Sequence, residues 1–323
     1  RIGCIEIPRL IMGIHPYDGC SYQNKERDAR NFRAFSRAQS VADILRCAVE
    51  EGGITAIQVD HMLPKLDRLH LQAIWETEQQ TNTQIGMVAY ILIPVTLDGE
   101  IISYSERAHS TFYNHNEVLG GEAFREHFHA DEIIRYNLGD TLNGIATPAT
   151  VAPYTEEDAA RFEVDYGILE RYLGFFAGCD ILIADPGAEI DLLAMTGRVD
   201  LIREYLDFLR QRFDTVITSV HHAGVTLPLL EANNIPVDGY LTTVNAPGTF
   251  MFPTRDMAID AIKNVSKPVI AIKPMAGGRY LGHKAFEYVF DEVGVQASMF
   301  GMGTIDQVRE TTQAARRVLG AAI

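Results

Sequence analysis

Apolar residues recur along this chain in short, β-branched runs set between longer stretches of helical period. Eight such runs stand out. They are "PRLIMGIHP" reaching His15, "ITAIQVDH" reaching His61, "QIGMVAYILIPV" reaching Val95, "DILIADP" reaching Pro186, "TVITSVHH" reaching His222, "DGYLTTVN" reaching Asn245, "PVIAIKPM" reaching Met275 and "ASMFGMG" reaching Gly303. Stretches of helical period follow most of them, over residues 40–51, 65–80, 190–213, 254–265, 283–293 and 305–319. This alternation implies parallel strands joined by crossover helices. Eight rounds of it without a tandem repeat predict an α/β fold, a (β/α)8 TIM barrel. A doubly wound sheet is the rival, but it would place a GxGxxG turn after the first strand, and none is there.

Two long segments break the rhythm directly after strands one and three, on what would be the C-terminal face of the barrel. Residues 16–39 and 96–155 are therefore expected to be lid-like insertions in a single barrel domain spanning 1–323. The first carries Lys25, Arg27, Arg30, Arg33 and Arg37. The second opens with a hairpin turning at Asp98 and Gly99, a pair that supplies the positive φ angles of a tight primed turn. A helix over 122–136 and the loop "TLNGIATPATVAP" follow.

Composition narrows the function classes. With 47% hydrophobic and 22% charged residues in 323, the chain reads as globular and long enough for a large core. No apolar run approaches the roughly 18 residues of a membrane span. A net charge of -15 without a basic stripe argues against binding nucleic acid. Cys4, Cys20, Cys47 and Cys179 lack CxxC spacing and suit reduced thiols; with no signal-peptide pattern at the start, a cytoplasmic protein is expected. The expected partners are a small-molecule substrate and, left open, further copies of the chain, with no nucleic acid and no membrane.

Candidate chemistry follows from strand alternation, since a barrel interior takes every second side chain. The inward residues are then Gly13 and His15 on strand one, Ala56, Gln58 and Asp60 on strand two, and Ile181, Ile183 and Asp185 on strand four. On strand five either Ser219 with His221 or Thr218 with His222 points inward, and the first pair is preferred. Strand six offers Asn245. On strand seven Val269, Ala271 and Lys273 share a face, taken as inward, with Ile270 and Ile272 against the helices. His15, Asp60, Asp185 and His221 are common ligand types for a divalent metal. A desolvated Lys273 is an acid, a base or a Schiff-base former, and Lys273, Asp60, His221 and Asn245 form the candidate catalytic set. The turns after strands seven and eight supply Gly277, Gly278, Arg279, Gly301, Gly303 and Thr304 as a cradle of backbone N–H groups for a phosphate or cofactor.

The stretches "IPRLIMG", "ITAIQVD", "PVIAIKPMAGG" and "FGMGTIDQVRET" resemble the first two and last two strands of the aldo-keto reductase superfamily. That resemblance implies a TIM barrel, an NAD(P) cofactor at the last two turns, and an Asp, Tyr, Lys and His catalytic set. Asp60 matches the aspartate. The tyrosine expected just after it is missing from "HMLPKLDR", Tyr90 stands where the lysine is expected, and Asp185 stands where the histidine is expected. These replacements direct the reading toward a barrel enzyme of different chemistry, a metal-assisted lyase or isomerase acting on a small, polar, anionic substrate. An NAD(P)-dependent oxidoreductase of aldo-keto reductase type is the alternative, and a non-catalytic barrel with a binding or assembly role is the second.

Overall fold

The computed structural model describes residues 1–137 and 152–320. Eight short strands form its centre: β1 (Leu10–Gly13), β2 (Ala56–Val59), β3 (Gly86–Tyr90), β4 (Ile181–Asp185), β5 (Thr218–Val220), β6 (Tyr240–Thr243), β7 (Val269–Ile272) and β8 (Ala297–Gly301). All neighbouring pairs in the sheet are parallel, in the order β4-β3-β2-β1-β8-β7-β6-β5, and a bridge between Ala184 and Val216 joins the two edges. The eight-stranded (β/α)8 barrel expected from the apolar runs is therefore the fold. Within the barrel no strand is left as an edge, because closure pairs each of the eight on both sides.

Two apolar layers hold the barrel. Inside it, Ile11, Ala56, Val88, Ile183, Leu241, Ile270 and Met299 pack together; Val269, Ala271, Phe286 and Phe300 belong to the larger layer between strands and helices. Each fully buried branched side chain contributes about 1.5–3 kcal/mol. Ile2, fully buried, closes the bottom of the barrel through a bridge to Ile5.

The facing of β7 differs from the expectation. Ile270 packs in the interior and Ile272 lines the cavity above it, while Val269 and Ala271 face the helices. A barrel strand buried on both faces carries apolar residues at every position, so alternation of size is a weak guide there.

The second insertion begins as expected, with Asp98 and Gly99 at φ +52° and +85° between the antiparallel strands Val95–Leu97 and Glu100–Ile101; Phe162–Val164 adds a third strand. Helices Tyr104–Leu119, Gly121–Ala130 and Glu132–Asn137 follow, and Phe112, Phe124 and Phe128 pack with Phe250 and Phe252. The loop expected over 141–153 falls almost wholly outside the described residues. His222 turns into this aromatic cluster, where its Nδ1 meets Nε2 of His115. Its neighbour His221 is thereby the inward histidine, as preferred. No helix among the described residues is long and apolar enough to cross a membrane.

Candidate active site

A cavity of about 1050 Å³ opens at the C-terminal ends of the strands, above the roughly 300–1,000 Å³ of a drug-sized site. His15, Asp60, His221 and Lys273 line it, together with Gly277, Gly278, Gly301, Gly303 and Thr304. The structure thus brings most of the expected residues to one space. Asp185, Asn245 and Arg279 are not among them, and each has a local reason.

Asp185 is buried and its carboxylate is consumed below the cavity. Ser219 donates to it through both its backbone N–H (2.9 Å) and its hydroxyl, and the Gly187 N–H adds a third bond at 3.1 Å. This pins the end of β4 to β5, next to the Ala184 to Val216 bridge. Asp185→Ala would strand those donors in a buried site, at about 1–3 kcal/mol each. We expect a fall in unfolding free energy of about 3–5 kcal/mol, read by denaturant titration.

Asn245 folds back on its own loop, its amide donating to the Thr249 carbonyl and accepting from the Thr249 N–H, both at 2.9 Å. Arg279 pairs with Glu132 of the insertion and donates to the carbonyls of Tyr22 (2.8 Å) and Ala276 (3.2 Å). Arg27 and Arg30, on the helix Lys25–Ala34 that follows β1, face the cavity in its place, along with Arg107 and Lys273.

Lys273 reaches the cavity by an unforeseen route. Its backbone lies at φ +54°, a left-handed conformation costing a non-glycine residue about 1–2 kcal/mol. That twist returns the side chain to the cavity from a strand whose parity would have sent it outward. Its ammonium sits 5.4 Å from the Tyr22 ring centroid and 5.2 Å from that of Phe250, with no carboxylate in ion-pair range among the described residues. Burial pushes its pKa down to about 8, against a slight upward pull from Cys20.

Asp60 accepts on Oδ1 from the N–H groups of His61 (2.5 Å) and Met62 (2.7 Å), a local turn that fixes the carboxylate and leaves Oδ2 unused. Burial, with Asp18 adding repulsion, raises its pKa to about 6 despite those bonds. His221 is held by its backbone N–H, which donates to Asp191 Oδ2 at 2.8 Å, and its ring packs edge-on to Phe250. Burial and then the Lys273 charge keep its imidazole well below the usual histidine pKa and hence neutral at pH 7.

Other cavity residues have contacts that the sequence did not foretell. Tyr90, at the end of β3, points its hydroxyl at Glu189 Oε2 (3.5 Å), and Glu189 pairs with the half-buried Arg107 of the insertion. The two partners lie 82 positions apart and meet only through the fold. At the far end of the cavity, Gly277 and Gly278 take φ +65° and +86°. Thr304 caps the helix Ile305–Leu319 by accepting from the Gln307 N–H at 3.1 Å, leaving the first turn of that helix facing the cavity.

A closed parallel barrel with a cavity at the C-terminal ends of its strands belongs to the (β/α)8 class, whose sites lie at that face. Among such barrels the chain has the fold of the aldo-keto reductases, as its sequence resemblance implied. Two solved structures of Pseudomonas aeruginosa proteins assigned to the aldo-keto reductases superpose on it with TM-scores of 0.54 and 0.53, each at 14% identity. They cover 98% and 97% of this chain and 94% of their own chains. No protein-family model and no curated protein matches the sequence.

These observations overturn the metal-assisted lyase or isomerase reading. Its metal was expected on some of His15, Asp60, Asp185 and His221, but Asp185 is bound to β5, and no three of those residues gather their ligand atoms around a point. The two Pseudomonas aeruginosa structures that share the fold are, moreover, assigned to the aldo-keto reductases, not to lyases or isomerases.

Proposed function

We propose that the chain is an NAD(P)-dependent oxidoreductase that reduces a small carbonyl compound. The observation that carries this reading is the continuity of one cavity, from Asp60, His221 and Lys273 to the glycine turns after β7 and β8. The residues present fit a dinucleotide: the first turn of the helix Ile305–Leu319, where the Thr304 hydroxyl takes the Gln307 N–H and leaves the Ile305 and Asp306 N–H groups facing the cavity, room for a Cβ beside Gly303, and the cations Arg27 and Arg30 at the rim. When bound, the cofactor supplies a hydride to the carbonyl carbon.

The chain's own residues would handle the proton. Lys273, with a pKa near 8, is protonated at pH 7 yet close enough to the working pH to release a proton readily. Its Nζ would give that proton to the carbonyl oxygen as negative charge develops there, and the amine would be reprotonated from water. The neutral His221 would donate a hydrogen bond to the same oxygen, and Asp60 would accept one from the ligand through Oδ2. Tyr90 is the poorer acid, because burial raises its pKa above the ordinary phenol. A purely structural ion network, the non-catalytic reading, would need Lys273 paired with a carboxylate, and among the described residues it is not.

A pH profile tests this assignment. An acid must be protonated to act, so kcat/KM for reduction should fall as pH rises through about 8. Lys273→Arg keeps the positive charge through that range and should retain weak activity without the limb at pH 8. A limb unchanged in Lys273→Arg would assign the proton to another group.

A further inference from the structure

Behind the cavity wall lies a second polar cluster that the proposed reaction does not use. Asp18 stands in the turn after β1, and Asp67 and His70 stand near the start of helix Pro64–Thr81. Each offers one ligand atom, and the three atoms lie within 4.8 Å of one another. His70 Nδ1 is 3.7 Å from Asp18 Oδ1 and 3.7 Å from Asp67 Oδ1. Those separations are too long for hydrogen bonds. They suit donors sharing an ion, since two metal bonds of about 2.1 Å place their donor atoms roughly 3–4 Å apart.

The imidazole supplies an independent sign. His70 is only 3% exposed, yet neither of its ring nitrogens has a hydrogen-bond partner, and Asp18 Oδ1 is likewise buried without one. Buried polar atoms are normally satisfied, and leaving several unpaired in one spot costs about 1–3 kcal/mol each. The surroundings aim the group rather than satisfy it. Asp67 spends Oδ2 on the Leu63 N–H (2.6 Å), which turns Oδ1 toward His70 one helical turn away. The Tyr17 ring packs edge-on to His70 at 5.9 Å, its hydroxyl tied to the Met302 carbonyl at 3.0 Å.

We propose that Asp18, Asp67 and His70 bind one divalent transition-metal cation of the Zn2+ type, which clamps the turn after β1 onto the helix after β2. Two carboxylates balance its charge, and the imidazole favours a transition metal over magnesium or calcium. This site shares no ligand with the discarded set at the strand ends, although Asp18 Oδ2 lies 3.8 Å from His15 Nδ1, and its role is to fix the turn that follows His15.

The full chain, stripped with a chelator and dialysed, would be titrated with Zn2+ by calorimetry and melted with and without it. The expected result is one equivalent bound and a higher Tm. Asp67→Asn keeps an acceptor for the Leu63 N–H, and His70→Gln keeps a polar side chain of similar reach; each should weaken Zn2+ binding by about 100-fold or more and abolish the rise in Tm. Circular dichroism of the metal-free variants shows whether both fold, and either one that does suffices for the comparison. Failure of the parent protein to bind Zn2+, or unchanged affinity in a folded variant, overturns the site.

Discussion

Lys273→Met is expected to lower NAD(P)H-dependent turnover by about 10²- to 10⁴-fold, the usual contribution of a positioned acid, while raising the melting temperature. The two effects share a cause. Folding depresses the lysine pKa from 10.5 to about 8, so the folded state disfavours the ammonium form. At about 1.4 kcal/mol per pH unit this corresponds to about 3 kcal/mol, and water in the cavity screens part of it, leaving about 1–2 kcal/mol. Below pH 8 both states are protonated and the penalty is felt in full. Between pH 8 and 10.5 the unfolded chain binds the extra proton, so this group makes stability rise with pH over that window. Methionine keeps the apolar stem and removes the charge; it should gain a few degrees at pH 7 and lose the rise above pH 8. A variant that melted lower and kept its turnover would make Lys273 a structural residue.

Gly303→Val is expected to abolish dinucleotide binding and leave the fold intact. A Cβ at this position meets nothing closer than Pro16 Cβ at 3.5 Å, which is ordinary contact, so the β-carbon is accommodated and the valine methyls take the space a phosphate needs to reach the helix start. By contrast, a Cβ on Gly301 would lie 2.4 Å from Pro16 Cδ and would disturb the turn after β1, which makes Gly301 the wrong position for the test. The loss at Gly303 should exceed 100-fold in Kd, because an excluded phosphate forfeits several charge-assisted hydrogen bonds together. Calorimetry with NADPH, alongside a thermal melt, reads both halves of the expectation.

The barrel was legible because eight apolar runs, each three to five residues at its centre, alternate with helical period and need no tertiary information to be counted. What escaped was local. The helix Ala223–Ala232 holds Pro228 and is apolar nearly all round, so neither a breaker-free stretch nor an amphipathic stripe announces it. The inward face of β7 was misread because both of its faces are buried, and Lys273 reaches the cavity only through a left-handed backbone turn. Asp185 and Arg279 look like site residues until Ser219 and Glu132, distant in sequence, claim them. The cluster around His70 was invisible for the same reason: "LDRLHLQ" reads as an ordinary helix until the fold brings Asp18 against it.

The most direct measurement is a calorimetric titration of the purified chain with NADPH. A reductase built on this cavity should bind one equivalent with a Kd in the micromolar range, about -8 kcal/mol, and Arg27→Ala combined with Arg30→Ala should weaken that binding and flatten its salt dependence. Folded protein that shows no binding at millimolar NADPH or NADH would contradict the oxidoreductase account.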